Sequence, residues 1–400
     1  MMGALDKKPR FAIMLANCGL IYYMPIFKRE IEQQIVELLW KKRAILVFGP
    51  RQAGKTTLAR KILARYGNDG AYFDCDLVSV RKCLIPGRPE LLKGMIGKKK
   101  IAVLDEAQTV QDIGLVLKVF VDTYPDVQLI ATGSSSFDLA NKINEPLTGR
   151  AFEFTLLPLS LPEIRTAVPG VDRARLDELI RLGTYPAIVA EQSAHVREKI
   201  LRNLTTNYLF KDVYMFESIR NPRAFEDLLR ALALQAGSIV SINELSQTLG
   251  VARLTVEKYM RLLEQSYVVR IVRSFSRNPR TEMKKGFKAF FLDTGIRNAV
   301  IDNFKAPGAR DDRGALFENF FVAERIKHMQ LGGRSLSLMF WRSRDGAEID
   351  VIETEADTIR AFECKWNDGK GVRVPAQFRK AYPSALFSVV TPDTLLSEMV

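Results

Sequence analysis

Cysteine and histidine are scarce. The 400-residue chain has four cysteines, Cys18, Cys75, Cys83 and Cys364, with no CxxC pair, and only two histidines, His195 and His328. This argues against both a disulfide framework and zinc sites. No run approaches the 18 or more continuous apolar residues of a membrane span, so no membrane partner is expected. No internal repeat or low-complexity tract is evident. Acidic residues are in deficit, 46 Asp and Glu against 59 Lys and Arg, leaving a net charge of +13. Such a field attracts polyanions, nucleic acid first among them, although a merely basic soluble enzyme would carry the same charge.

What is present is the composition of an ordinary globular chain, 47% hydrophobic and 26% charged, long enough for about two to three domains. The N-terminus, Lys7-Lys8-Pro9-Arg10 followed by Phe11 to Tyr23, imitates a signal peptide. No small-residue cleavage site closes the run, and Asn17 and Gly19 interrupt it, so a cytoplasmic location is expected. Regular amphipathic patterning begins only near Phe27, which fits either a start at Met24 or a peripheral N-terminal helix.

From Lys28 the pattern runs helix, buried strand (Ala44 to Phe48), then Gly49-Pro50-Arg51-Gln52-Ala53-Gly54-Lys55-Thr56-Thr57 opening a helix. This is the full P-loop pattern in its required context. Its glycines let backbone amides face a β-phosphate, Lys55 reaches the β- and γ-phosphates, and the Thr56 hydroxyl ligates Mg²⁺. Fifty residues after Lys55, the apolar run Ile101 to Leu104 ends in Asp105-Glu106, the Walker B arrangement. Asp105 is expected to hold Mg²⁺ through water and Glu106 to polarise the attacking water, which implies ATP hydrolysis. The next strand ends in Thr132-Gly133-Ser134-Ser135-Ser136, making Ser134 a candidate sensor of the γ-phosphate, or a member of an ordinary turn. The alternating runs predict an α/β class: a P-loop NTPase core with a parallel sheet, a helical and winged-helix domain, and an α/β C-terminal domain.

These motifs, together with Asp105-Glu106-Ala107-Gln108 and Leu147-Thr148-Gly149-Arg150 before Leu157-Pro158-Leu159-Ser160, resemble a prokaryotic AAA+-type ATPase that carries a second domain of unknown function. The resemblance implies that Arg150 approaches a γ-phosphate as an arginine finger or sensor; a surface salt bridge is its other reading. It also implies a possible homo-oligomer. The expected divisions are an extension over 1–27, the ATPase core over 28–165, a helical lid and winged helix over 166–275, and a C-terminal domain over 285–400.

Ser241 to Arg270 reads as helix, Gly250-Val251 turn, helix. In a winged helix, Arg253, Thr255 and Lys258 would face a major groove, with Arg270 and Arg273 in the wing; a protein-contact domain would use the same trihelical core. Further on, Asp350, Glu363 and Lys365 spell a D…ExK pattern on adjacent strands that resembles the PD-(D/E)XK nuclease fold, with Glu348 sharing a face with Asp350. By that resemblance Glu318 on the preceding helix is an additional acid and Gln377 a following polar residue. Glu318, Asp350 and Glu363 would then hold a divalent metal while Lys365 activates water. Ile349 stands where the motif's proline would be. Two functions follow: an ATPase coupling nucleotide state to a DNA-binding, nuclease-like region, or a nucleotide-regulated protein-interaction or signalling switch whose nuclease-like domain is inactive.

Overall fold

The computed structural model describes residues 27–134, 147–209, 219, 221–275, 286–332, 337–367 and 371–395. The extension with its possible start at Met24, Ser135, Ser136 and the basic stretch from Asn278 to Lys285 lie outside the described residues.

Five short runs become strands: β1 (Ala44–Phe48), β2 (Gly70–Asp74), β3 (Ile101–Asp105), β4 (Gln128–Gly133) and β5 (Ala151–Thr155). They form one sheet in the order β2-β3-β4-β1-β5, with every pairing parallel. β1, β3 and β4 are buried at every position, as parallel strands covered by helices on both sides must be. Helices α1 (Ile31–Leu38) and α2 (Lys55–Ala64) cover one face through Ile35, Leu58 and Ile62. On the other face lie α3 (Pro89–Ile96) and α4 (Ile113–Thr123), which bury Leu92, Ile96, Leu117 and Phe120. Because β4 separates β1 from β3, the P-loop after β1, Ser134 after β4 and Asp105-Glu106 after β3 emerge side by side at one end of the sheet.

The helical block follows as α5 (Leu161–Ala167), α6 (Arg173–Leu182), α7 (Pro186–Ala190), α8 (Ala194–Asn203), α9 (Pro222–Leu234), α10 (Ile242–Leu249) and α11 (Arg253–Gln265). The Ser241 hydroxyl caps α10 by accepting from the Glu244 amide, and Gly250 ends it in the left-handed region. Strand β6 (Ile239–Val240) precedes α10, and β7 (Val269–Ser274) and β8 (Phe287–Phe291) follow α11 as an antiparallel pair. Next come α12 (Thr294–Val300), the long α13 (Arg313–Gly332), the strands β9 (Ser337–Arg342), β10 (Glu348–Glu355) and β11 (Thr358–Cys364), α14 (Ala376–Ala381) and β12 (Leu386–Val390).

The second sheet runs β12-β11-β10-β9-β7-β8-β6 without interruption. Parallel pairing of Arg273 with Met339 and Ser274 with Phe340 joins the hairpin of the helical block to the C-terminal strands, across the division expected at 275–285. The cores follow the same logic. Leu159, Ile164 and Leu176 pack with Phe290, Phe317, Phe321, Val351 and Phe362 in a single cluster, so the segment after the ATPase sheet is seated on α13 and the C-terminal strands. Moving one part therefore displaces the other.

A charged knot ties α12 to α13. Fully buried Arg297 donates through Nε to the Ala233 carbonyl at 2.8 Å and through Nη1 to Asp312 Oδ2 at 2.5 Å, while Arg310 grips both Asp312 oxygens at 2.7 and 2.8 Å. Burial alone would raise the Asp312 carboxyl; the two guanidinium groups overcome it and hold its pKa at about 2. A carboxyl depressed in the folded state stabilises above its ordinary 3.8 and loses that contribution as the pH falls toward 2. Asp312→Asn is therefore expected to cost about 3–5 kcal/mol at pH 7, since it strands two buried cations. In urea titrations the deficit should shrink from pH 4 downward.

Candidate functional site

The P-loop is shaped by what surrounds it. Gly49 has φ +147°, and a Cβ there would lie 2.1 Å from the Leu156 carbonyl oxygen, so only glycine lets β1 turn beneath the end of β5. Gly54, also at positive φ, places Lys55 at the start of α2, whose first-turn amides have no acceptor within the helix. The buried Lys55 ammonium donates to the carbonyls of Gly49 at 2.9 Å and Pro50 at 2.8 Å. Both are neutral acceptors, and a phosphate oxygen makes the stronger charge-assisted bond, so the lysine is positioned for exchange to an anion.

Asp105, buried at the end of β3, accepts three hydroxyls: Thr56 Oγ1 at 2.8 and 3.1 Å, Thr132 Oγ1, and Tyr72 OH at 2.5 Å. Thr56 and Asp105, the expected Mg²⁺ residues, thus touch each other. Burial and the bond to Asp105 both raise the Tyr72 phenol, which keeps it a donor, and the Arg60 guanidinium lies 4.2 Å from its ring centroid. Glu106 takes a left-handed backbone, φ +53°, with its amide on Thr132 Oγ1 at 3.2 Å. Its carboxylate accepts from Gln108 Nε2 at 2.5 Å; the same Nε2 lies 3.0 Å from Ser134 Oγ, and the Ser134 amide donates to Gln108 Oε1 at 3.3 Å. Gln108 thus links the expected base to the expected sensor.

Lys55, Thr56, Glu106 and Gln108 line a cleft of about 530 Å³, with Asp105 and Ser134 bonded behind Thr56 and Gln108. Arg51, Gln52, Ala53 and Thr57 complete its phosphate end, and Phe27, Leu159, Pro186 and Ala187 form an apolar wall, the last two from α7 of the helical block. A flat base fits such a wall, and the polar end fits Mg²⁺ with phosphates.

Arg150 is placed elsewhere. It precedes β5 at the sheet end opposite the P-loop, where its carbonyl accepts from Ala44 and its Nε pairs with Asp122 at 2.7 Å. The expectation that it approaches a phosphate is corrected within one chain: the length of the sheet lies between them.

Arg29 is the unforeseen residue. Buried ahead of α1, it donates to the P-loop carbonyl of Ala53 (2.7 Å), to the Leu157 carbonyl (2.6 Å) and to Glu163 Oε1 (2.9 Å). Glu163 also closes the capping box of α5 with Ser160. The Leu161 amide, one residue into α5, donates to Glu324 Oε2 on α13 at 2.7 Å; Glu324 Oε1 accepts from Lys327 at 2.6 Å, and Lys327 reaches Leu159 O and Thr184 Oγ1. Burial raises the Glu324 carboxyl against the pull of Lys327. A hydrogen-bonded line thus runs from the P-loop to the C-terminal helix.

Arg253 and Lys258 are exposed on α11 and Thr255 is half-buried; Arg253 pairs with Glu257 at 2.9 Å. A groove of about 630 Å³ beside them is lined by Arg253, Arg261 and Arg273.

In the C-terminal sheet, Glu318 on α13 accepts from Lys288 Nζ at 2.9 Å, Lys288 also pairs with Glu348 at 2.6 Å, Asp350 Oδ2 accepts the Cys364 amide at 2.8 Å, and Glu363 pairs with Lys365 at 2.7 Å. Burial raises the carboxyls of Glu318, to about 8, of Asp350 and of Glu363; neighbouring carboxylates add to the rise. The expected metal set of Glu318, Asp350 and Glu363 is corrected, because among the described residues no three such side chains converge to hold a metal ion. Lysines of the chain pair with Glu318 and Glu363, and a backbone amide donates to Asp350. Gln377 bonds Asp345 in the turn between β9 and β10.

Comparison with known proteins gives three family matches along the chain. Residues 41–165 match the family described as an AAA domain, 173–306 a domain of unknown function, DUF8612, and 313–397 another, DUF4143. The first match supports a P-loop ATPase core. An uncharacterized protein of Mycobacterium tuberculosis is 27% identical over 351 residues, covering 86% of this chain and 74% of that protein. One from Methanocaldococcus jannaschii is 22% identical over 369 residues, covering 87% and 80%. Among solved structures, AMPPCP-bound DnaA from Aquifex aeolicus is 14% identical with a TM-score of 0.27, covering 59% of this chain and 86% of that one. Drosophila ORC bound to AT-rich DNA and Cdc6 is 11% identical with a TM-score of 0.25, covering 68% and 90%. Among the described residues no helix is long and apolar enough to cross a membrane.

Replacing the Lys55 ammonium removes a charge-assisted bond to phosphate. Lys55→Ala should weaken binding of a fluorescent ATP analogue by about 10- to 100-fold in equilibrium titration.

Proposed function

We propose that this protein is an ATP-hydrolysing, AAA+-type cytoplasmic switch that couples its nucleotide state to a DNA-binding region. The observation that carries the reading is the buried line from Ala53 through Arg29, Glu163 and the start of α5 to Glu324 and Lys327. It gives the phosphate loop a mechanical connection to α13 and the second sheet.

In this reading residues Gly49 to Thr57 cradle the phosphates, Lys55 neutralises charge on them, and Thr56 and Asp105 would hold Mg²⁺, which supplies further neutralisation of the transferred group. Hydrogen bonds from Tyr72 and Thr132 keep Asp105 aimed. Glu106 takes the proton of the attacking water. Gln108, bonded to both Glu106 and Ser134, releases the carboxylate when Ser134 turns to a γ-phosphate. The exposed guanidinium of Arg150 is available to a second copy of the chain, the one way it could serve as a finger.

In this reading the α10–turn–α11 unit with the β7–β8 pair serves as a winged helix. Arg253, Thr255 and Lys258, with the arginine-lined groove beside them, suit a duplex whose phosphates are met by guanidinium groups. The second reading, a nucleotide-regulated protein-interaction switch, is favoured by Leu254, which is 74% exposed at the start of α11 between the proposed DNA contacts.

Two results are expected. Glu106→Gln should retain nucleotide binding and lose about 10²–10⁴-fold in phosphate release, the range of a general base. Wild-type affinity for duplex DNA, read by anisotropy, should differ between the ADP state and a non-hydrolysable ATP analogue, and Arg253→Ala with Lys258→Ala should reduce the salt slope by about two. Absence of DNA binding in every nucleotide state, with hydrolysis intact, would favour the protein-interaction switch.

A further inference from the structure

The carboxylate cluster of the second sheet already holds a cation. Lys288 stands inside Phe287-Lys288-Ala289-Phe290-Phe291, a strand buried at every position, and is itself 1% exposed. A lone ammonium there would be very costly, and so would the carboxylates without it. Its Nζ lies 2.9 Å from Glu318 Oε1 on α13, 2.6 Å from Glu348 Oε1 on β10 and 5.4 Å from the centroid of the Phe340 ring on β9. One ammonium therefore ties three strands and a helix.

The neighbouring acids are also engaged. Asp350 takes the Cys364 amide and Glu363 takes Lys365, while Arg342 approaches the second oxygen of Glu348 at 3.8 Å. A hard divalent cation needs six or more oxygen ligands and would have to displace these partners. The register of β10 against β9 shifts between Ile349 and Ile352, so Asp350 is set by an irregularity that lets it take the Cys364 amide, while Glu348 stays in register opposite Arg342.

We infer that Lys288 is the resident cation of this cluster, supplying the positive charge that a nuclease-like site takes from a divalent metal. The C-terminal region is then a metal-free binding module that does not cleave phosphodiesters, and its carboxylates clamp β8 to β10 and α13.

The test is Mn²⁺ binding to the full chain without nucleotide, followed by electron paramagnetic resonance, in an Asp105→Asn background that silences the P-loop acid. No site tighter than about 1 mM, the weak end of carboxylate sites, is expected. Adding Lys288→Ala should create one site, and Glu318→Gln should remove it again. A metal site already present in the Asp105→Asn chain and lost on Asp350→Asn would overturn the inference, as would a folded Lys288→Ala chain that gains none. If Lys288→Ala does not fold, comparing Asp105→Asn with and without Asp350→Asn still decides.

Discussion

The guanidinium of Arg29 holds this molecule together at its most consequential point. Its planar fork reaches three acceptors at once: the P-loop carbonyl of Ala53, the carbonyl of Leu157 where the chain leaves the ATPase sheet, and Glu163 in the first turn of α5. Only arginine offers donors in that geometry, and a lysine could satisfy one direction. Because Arg29 and Glu163 are buried, losing either strands the other's charge in a low-dielectric interior. The loop that senses phosphate and the segment that enters the helical block are thereby obliged to move together.

From there the constraint spreads through shared packing. Glu324 and Lys327 sit on the same helix as Leu316, Phe317, Phe320 and Phe321, the apolar face that covers the second sheet. That sheet includes the hairpin following α11, so the proposed DNA contacts belong to a body continuous with α13. Arg325 and Glu353 add a bidentate buried pair between α13 and β10 at 2.6 and 2.7 Å. Densely packed, fully paired elements of this kind shift between discrete arrangements instead of deforming gradually, which is what a nucleotide switch requires.

Local chemistry was the legible part. The P-loop, Asp105-Glu106 and the strands before them declare themselves because a buried strand, a glycine turn and a helix start leave their pattern in consecutive residues. The helix–turn–helix of α10 and α11 is legible for the same reason. Arg29 carried no such signal: its partners lie 24 to 134 residues away, and it resembles any arginine ahead of a helix. Lys288 did leave one, a single lysine within five buried strand residues, which can stand only beside an opposite charge. Arg150 immediately precedes β5 of an all-parallel sheet, which sets it at the end opposite the P-loop, and within one chain its salt bridge with Asp122 is the reading that holds. The expected break near 275–285 failed to mark a change of sheet, since the parallel pairing of β7 with β9 joins segments distant in sequence.

The most direct test of the coupling is hydrogen–deuterium exchange across residues 313–332 with ADP or a non-hydrolysable ATP analogue, comparing wild type with Arg29→Lys at saturating nucleotide. The account predicts that protection of α13 changes with nucleotide in the wild type and not in Arg29→Lys. The same nucleotide-dependent change in both proteins would contradict it.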